Sequence, residues 1–417
     1  MAVKLGMYMN AKRAFEDTAP LDANAVTNIE QLVTLRDGDR LQGVDVLIRL
    51  SRDQLEHHRQ TPDGLDSVSE KHWLGTREFA LKEIPGAQLR GTVGRKLTGS
   101  VAKMLTAPSL SDFVTKLRTG DRAAKRILLL WGHADAPMGV LFARPPTVTG
   151  RAVAVTAAVG GGGRLQRDIL SPSDVQRAFA DSLPNGAMLD LVCFDACQGA
   201  SLEFASLLAG HVRYLISSQT PVPGAGWNYA SWPALLRGMT TRNRKETAIA
   251  VARDFAALGA RESSISVIEL SGVANVLKAL KVVSSSLLAS EKLRQELMAI
   301  RRKIPTHDAD RGGSADLVTL FEKASTAFAK NRQFARQCAA VASAASAAIV
   351  ESLLAPDLAN RIPLRGWSIF MPTEASGFGP PFDAITDSVY FRNLDQLRAF
   401  KRTGWHRFVE MSLQPAR

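Results

Sequence analysis

Short runs of continuous apolar residues alternate along this chain with segments of helical period. VKLGMYM (3–9) and GVDVLIRLS (43–51) are apolar and branched as strands are, and DANAVTNIEQLVTLRD (22–37) between them has helical spacing behind Asp22, a cap residue. After a polar, Gly-containing stretch (52–100) the alternation resumes. SLSDFVTKLRTG predicts a helix opened by Ser109 or Ser111 and closed at Gly120, and RILLLWGHA a strand. SPSDVQRAFADSL and LDLVCFDAC form the next helix and strand, SLEFASLLAGH and VRYLISSQ the next, and TAIAVARDFAALG and SSISVIEL the last. Residues 272–355 read as largely helical, CAAVASAASAAIVESLLA (338–355) included, around a loop at IPTHDADRGGS (304–314). RGWSIFMP (365–372) closes as a strand, followed by a helix around LDQLRAFKRTGWHRFVEM.

Repeated strand and helix alternation predicts an α/β fold with a mostly parallel central sheet and helices on both faces. Active sites in such sheets collect at the carboxyl ends of the strands. The expected division is a core at 1–270, a helical insertion or accessory region at 271–360, and a closing strand and terminal helix at 361–417 packed on the core. VGGGGR (159–164) predicts a flexible loop; it lacks the Lys-Ser/Thr ending of a phosphate loop.

With 417 residues, 46% of them hydrophobic, the chain can bury a large core. A net charge of +12 makes a nucleic-acid regulator or another acidic partner worth testing, but the basic residues are spread through the sequence as on a solvated face. The first twenty residues lack the apolar stretch of a secretory signal, and no uncharged run of about eighteen apolar residues occurs, so no membrane role is expected. Three cysteines are too few for a disulfide framework or a paired CxxC zinc site and fit a reducing, cytoplasmic setting.

Two predicted strands end on reactive side chains. RILLLWGHAD delivers His133 just past its apolar run, and LDLVCFDAC delivers Cys197 just past its own. If the strands are parallel neighbours, both side chains stand at one edge of the sheet, where an imidazole can take the proton of a thiol. The expected helix after Cys197 would add its N-terminal dipole to a thiolate. A lone cysteine at such a place is equally a small packed residue, and Cys193, inside the strand, reads as packing alone.

These residues carry a resemblance. FDAC at a strand end, some sixty residues after LLLWGHA, resembles the clostripain family of cysteine peptidases, and Ala196-Cys197-Gln198-Gly199 is similar to the caspase signature. SLEFASLLAGHVRYLISSQTPVPGAGWNY, SSISVIELSGVANVLKAL, SADLVTLFEKA, GWSIFMP and TGWHRF resemble later segments of the same family. The resemblance implies a caspase-like α/β/α sandwich and a cysteine endopeptidase acting on protein substrates. Cys197 would be the nucleophile and His133 the acid and base. The backbone N–H groups of Cys197 and Ala134 would form the oxyanion hole, and Asp195, Ser217, Gln219, Gly224, Ala225 and Trp227 would line the substrate pocket.

The chain departs from that pattern at Ala134, where the family has Gly; at Ser217-Ser218-Gln219, where it has SEE; and at Ala225, where it has Asp in PGDGW. The last change removes a carboxylate that would pair with Arg or Lys, so trypsin-like specificity is expected to be weakened. Self-cleavage, also implied by the resemblance, has Arg151, Arg164 and Arg167 as candidates. No cofactor is required for the chemistry; calcium dependence occurs in the family, and no EF-hand loop answers to it here. An activating partner belongs to the same expectations. The competing reading is a catalytically restrained caspase-like module that binds a protein or nucleic-acid partner.

Overall fold

The computed structural model describes residues 2–12, 21–37, 41–52, 56–61, 64–69, 75–84, 94–135, 139–142, 169–184, 186–241, 243–305, 313–373 and 397–413. The N-terminal half runs β1 (Val3–Asn10), α1 (Leu21–Asp37), β2 (Val44–Arg52), a hairpin of β3 (Glu56–Thr61) and β4 (Gly64–Ser69), then β5 (Gly75–Ala80), β6 (Arg95–Lys96) and α2 (Ala107–Arg118). It continues through β7 (Lys125–Asp135), β8 (Gly139–Phe142), β9 (Ile169–Leu170), α3 (Pro172–Ser182), β10 (Leu189–Asp195), α4 (Leu202–Leu208), β11 (Val212–Ser217), α5 (Trp232–Thr241) and α6 (Arg244–Ala257). After β12 (Ser264–Glu269) come α7 (Val273–Ala289), α8 (Glu291–Arg301), β13 (Ser314–Asp316), α9 (Leu317–Ala327), α10 (Arg332–Ala348), β14 (Ile349–Leu354) and β15 (Ser368–Phe370); short helices at Arg398–Lys401 and Trp405–Leu413 follow.

An eleven-stranded sheet organises these elements in the order β14-β12-β11-β10-β7-β1-β2-β5-β6, with β8 and β9 branching from β7. Its middle, β11-β10-β7-β1-β2, is parallel, and antiparallel strands extend it on both sides. The parallel strands are buried on both faces. Leu5, Met7, Met9, Ile127, Leu129, Leu191 and Cys193 pack on one side under α1, α5 and α6, while Tyr8, Leu128, Leu130, Val192 and Phe194 pack on the other under α2, α3 and α4. The doubly covered α/β fold expected from the alternation is present.

Several local expectations are corrected. The segment 338–355 is not one helix: it ends at Ala348 and Ile349–Leu354 becomes β14, the antiparallel partner of β12. Within 52–100 the chain adds β5 and β6 to the sheet. Asp22 lies inside the first turn of α1, where its carboxylate accepts from Ala23 N and pairs with buried Arg52 at 3.1 Å. Helix α2 starts at Ala107, ahead of both serines, and Ser109 accepts from the buried Arg49 guanidinium. β15 pairs with β13 in a separate two-stranded sheet and touches the Cys197 loop through a single bridge from Ser368 to Ser201. The turn and helix at Leu270–Ala289 are apolar and long enough to cross a membrane by composition, yet Val273, Val276, Leu280, Val283 and Leu287 pack into the core.

Beside the sheet, Arg49 is fully buried and forms ion pairs with Glu78 and Asp112, which Lys116 also bridges at 2.8 Å each. Burial alone would raise both carboxyls, but hydrogen bonds and charge from Lys116 and Arg49 together hold them below the usual carboxylate range.

Candidate active site

The register of two strands sets the site. β10 runs parallel to β7 with Asp195 opposite Trp131, so Cys197 and His133 each stand two residues further along, at the carboxyl edge. Both line one cavity of about 260 Å³, together with Leu21, Asn24, Trp131, Gly132, Asp195, Ala196 and the segment Val222, Pro223, Gly224 and Gly226. The thiol and imidazole are half-buried, whereas Cys193, four residues back inside β10, is buried with its thiol pushed well up by desolvation and by Asp195. Cys338, on α10, is also buried, its thiol raised to about 12.

Cys197 is not at a helix N-terminus. Helix α4 begins at Leu202, with Ser201 as its cap accepting from Phe204 N. Between them Gln198 takes the left-handed conformation at φ 55°, and Gly199 packs so closely on Phe194 that a Cβ would lie 1.8 Å from the ring. Gln198 N and Ala200 N donate to Thr220 O and Ser218 O, which ties this loop to the segment after β11. That segment supplies a donor to the thiol itself, Val222 N at 3.4 Å from Sγ. A backbone N–H thus takes the place the helix dipole was expected to fill.

Asp195 forms the floor. It is 4% exposed and accepts from Trp227 N at 3.2 Å and from the Tyr229 hydroxyl, both at Oδ2. Desolvation pushes its carboxyl up to about 7 against the lowering effect of those two donors. Gly226, at φ +70°, leaves room for this arrangement: a Cβ there would lie 2.7 Å from Asp195 Oδ2, 3.0 Å from Asn28 Nδ2 and 3.2 Å from Trp131 Nε1. Among the described residues lining the cavity, Asp195 is the single acid.

The remaining sequence candidates are distributed differently from expectation. Gly224 lines the cavity, and Ala225 beside it is exposed. Trp227 touches the site through its backbone, its ring stacking on Trp232 and Phe255 at 5.7 and 5.6 Å between centroids. Ser217 is buried at the end of β11 and does not line the cavity. Gln219 is a structural clamp instead of a pocket residue, donating to Asp316 and Ser368 at 3.0 and 3.1 Å and accepting from Gly366 N at 2.8 Å. Ala134 is buried where β8 pairs beside His133. Arg151, Arg164 and Arg167 lie outside the described residues. Sequence reasoning missed Asn24 and Asn28 of α1 and also Tyr229, whose only signal was its place after GAGWN. Among the described residues no group of three or more His, Cys, Asp or Glu gathers that could hold a metal.

The model of the clostripain family of peptidases (C11) matches residues 98–411. The chain belongs to the clostripain family. It is therefore a cysteine peptidase, acting on protein or peptide substrates by hydrolysis. Two solved structures share the fold. A secreted C11 cysteine protease from Bacteroides thetaiotaomicron, in complex with an irreversible peptide inhibitor, is 15% identical with a TM-score of 0.56, covering 98% of this chain and 100% of its own. An inactive zymogen C11 protease from Parabacteroides distasonis is 15% identical with a TM-score of 0.55, covering 99% of each chain. A search of curated proteins finds no match. The clostripain-family match begins only after the first six strands and α1, so the wall of the cavity formed by Leu21 and Asn24 lies outside it.

Proposed function

We propose that Cys197 and His133 are the catalytic pair of this cysteine endopeptidase, and that Asp195 reads the side chain preceding the scissile bond. The observation that carries this is the register of Asp195 with Trp131, from which thiol and imidazole enter a single cavity over a buried acid. The thiolate attacks the peptide carbonyl, and the developing oxyanion is assigned to the backbone N–H groups of Cys197 and Ala134. His133 gives its proton to the departing amine, leaving a thioester on Cys197. His133 then takes a proton from water as that water attacks the thioester, and the acid product leaves with the thiolate and the protonated imidazole restored.

Ala225 gives the pocket no second carboxylate, so a basic side chain finds one acid where the family pattern has two. Reduced preference for Arg and Lys follows. A reducing, cytoplasmic setting is part of the same reading and rests on the small number of cysteines, three in the sequence. Activation by self-cleavage at Arg151, Arg164 or Arg167, by a partner, by calcium or by nucleic acid belongs to the same proposal and is tested by incubating the purified chain alone and with each effector.

The test is a panel of fluorogenic peptides that differ in the residue before the bond, assayed with the wild-type chain, Cys197→Ala and His133→Ala. Each variant is expected to lose roughly a thousandfold or more in kcat/KM. Turnover that survives in Cys197→Ala rejects the assignment, and no turnover or thiol labelling under any activating condition favours a module that only binds a partner.

A further inference from the structure

The pocket floor has two oxygens, and the protein already uses one. The Tyr229 hydroxyl and the Trp227 N–H both converge on Oδ2 of Asp195, and Gly226 seals the same side. Oδ1 is the oxygen left for a substrate. Tyr229 cannot swing aside, since it is fully buried with its ring 5.1 Å from that of Trp232. Burial and the adjacent carboxyl raise its hydroxyl well above the ordinary phenol range, so it stays a donor at every working pH.

From this geometry we infer that Tyr229 is a positioning residue which makes the floor a single-acceptor site, so that the pocket takes lysine in preference to arginine before the scissile bond. The inference rests on the peptidase reading and goes beyond it. A guanidinium is a planar fork whose strongest pairing spends two parallel N–H bonds on the two oxygens of one carboxylate. With Oδ2 occupied, that pairing is closed to it. A second carboxylate could serve the other edge of the fork, but position 225 is alanine. An ammonium is a compact point charge with three rotatable donors. It pairs with Oδ1 alone and has the side-chain amide of Asn24, on the cavity wall, as a further acceptor.

The experiment uses the full chain, wild type and Tyr229→Phe, on three fluorogenic peptides identical except for Lys, Arg or norleucine before the bond. In the wild type the ratio of kcat/KM for Lys over Arg is expected to be about tenfold or more, and in Tyr229→Phe it falls by about tenfold as Oδ2 loses the hydroxyl and keeps only the Trp227 N–H, which leaves it a lone pair for the fork. Because both substrates meet the same preparation, partial misfolding and any change in the charge of Asp195 act on both and leave the ratio alone. Arg cleaved as well as Lys by the wild type, or a ratio unmoved in the variant, overturns the inference. Cleavage of the norleucine peptide with none of either basic one overturns it while sparing the peptidase reading; no turnover of any peptide under any activating condition overturns both.

Discussion

Asp195 on β10 is the register partner of Trp131 on β7, and this single pairing decides what reaches the carboxyl edge of the sheet. Two residues further on, the strands deliver Cys197 and His133 to the same cavity. The pairing also buries Asp195 beneath them, so the proposed nucleophile and the proposed specificity group are two residues apart at one strand end.

Restoring the missing acid should restore basic specificity. Ala225→Asp places a carboxylate between two cavity-lining glycines. The expected outcome is a rise of about tenfold or more in kcat/KM for Arg peptides, measured against a norleucine peptide as internal control. An unchanged ratio would separate Ala225 from specificity.

Gly226→Ala puts a Cβ against Asp195, Asn28 and Trp131 at a residue whose φ is +70°. Strain and overpacking together should cost about 1–3 kcal/mol in denaturant unfolding, and KM should rise while Cys197 remains open to alkylation. Gly199→Ala, whose Cβ would meet Phe194 at 1.8 Å, should cost about 2 kcal/mol or more and lower kcat by displacing the loop that carries Cys197.

The raised carboxyl of Asp195 predicts a pH dependence of stability. The folded chain keeps this proton to about 7, whereas an unfolded aspartate releases it near about 3.9, so the folded state holds the extra proton between those values. Stability from this group is therefore lost as pH rises through that window and is level above it, a difference of at most about 4 kcal/mol. Asp316, raised by burial, acts in the same direction. Asp195→Asn should gain stability relative to wild type steadily from pH 4 to 7, read by urea midpoints; a constant offset would show that Asp195 is charged throughout. Glu78 and Asp112 act oppositely, their contribution lost as pH falls into the carboxylate range.

The parallel strands, helix α3 and the convergence of His133 with Cys197 on one edge were legible in the chain, because each is written in local period or in the residue that follows an apolar run. Other features depend on partners far along the sequence. No glycine or proline marks the end of α10; Ile349 leaves the helix because β12 offers a free edge to pair with. Gln219 sat in the pocket motif, but its partners Asp316, Gly366 and Ser368 lie about a hundred residues or more away and turn it into a clamp. Asn28 carries no pattern of its own and Tyr229 only its place at the end of GAGWNY, and the fold alone brings them to Gly226 and Asp195.

The most direct measurement is to trap the chain with a peptide bearing a thiol-reactive electrophile at the position of the scissile bond and locate the adduct by mass spectrometry. The account predicts one adduct, on Cys197, formed far more slowly in His133→Ala. An adduct on Cys193 or Cys338, or continued hydrolysis with Cys197 unmodified, would contradict it.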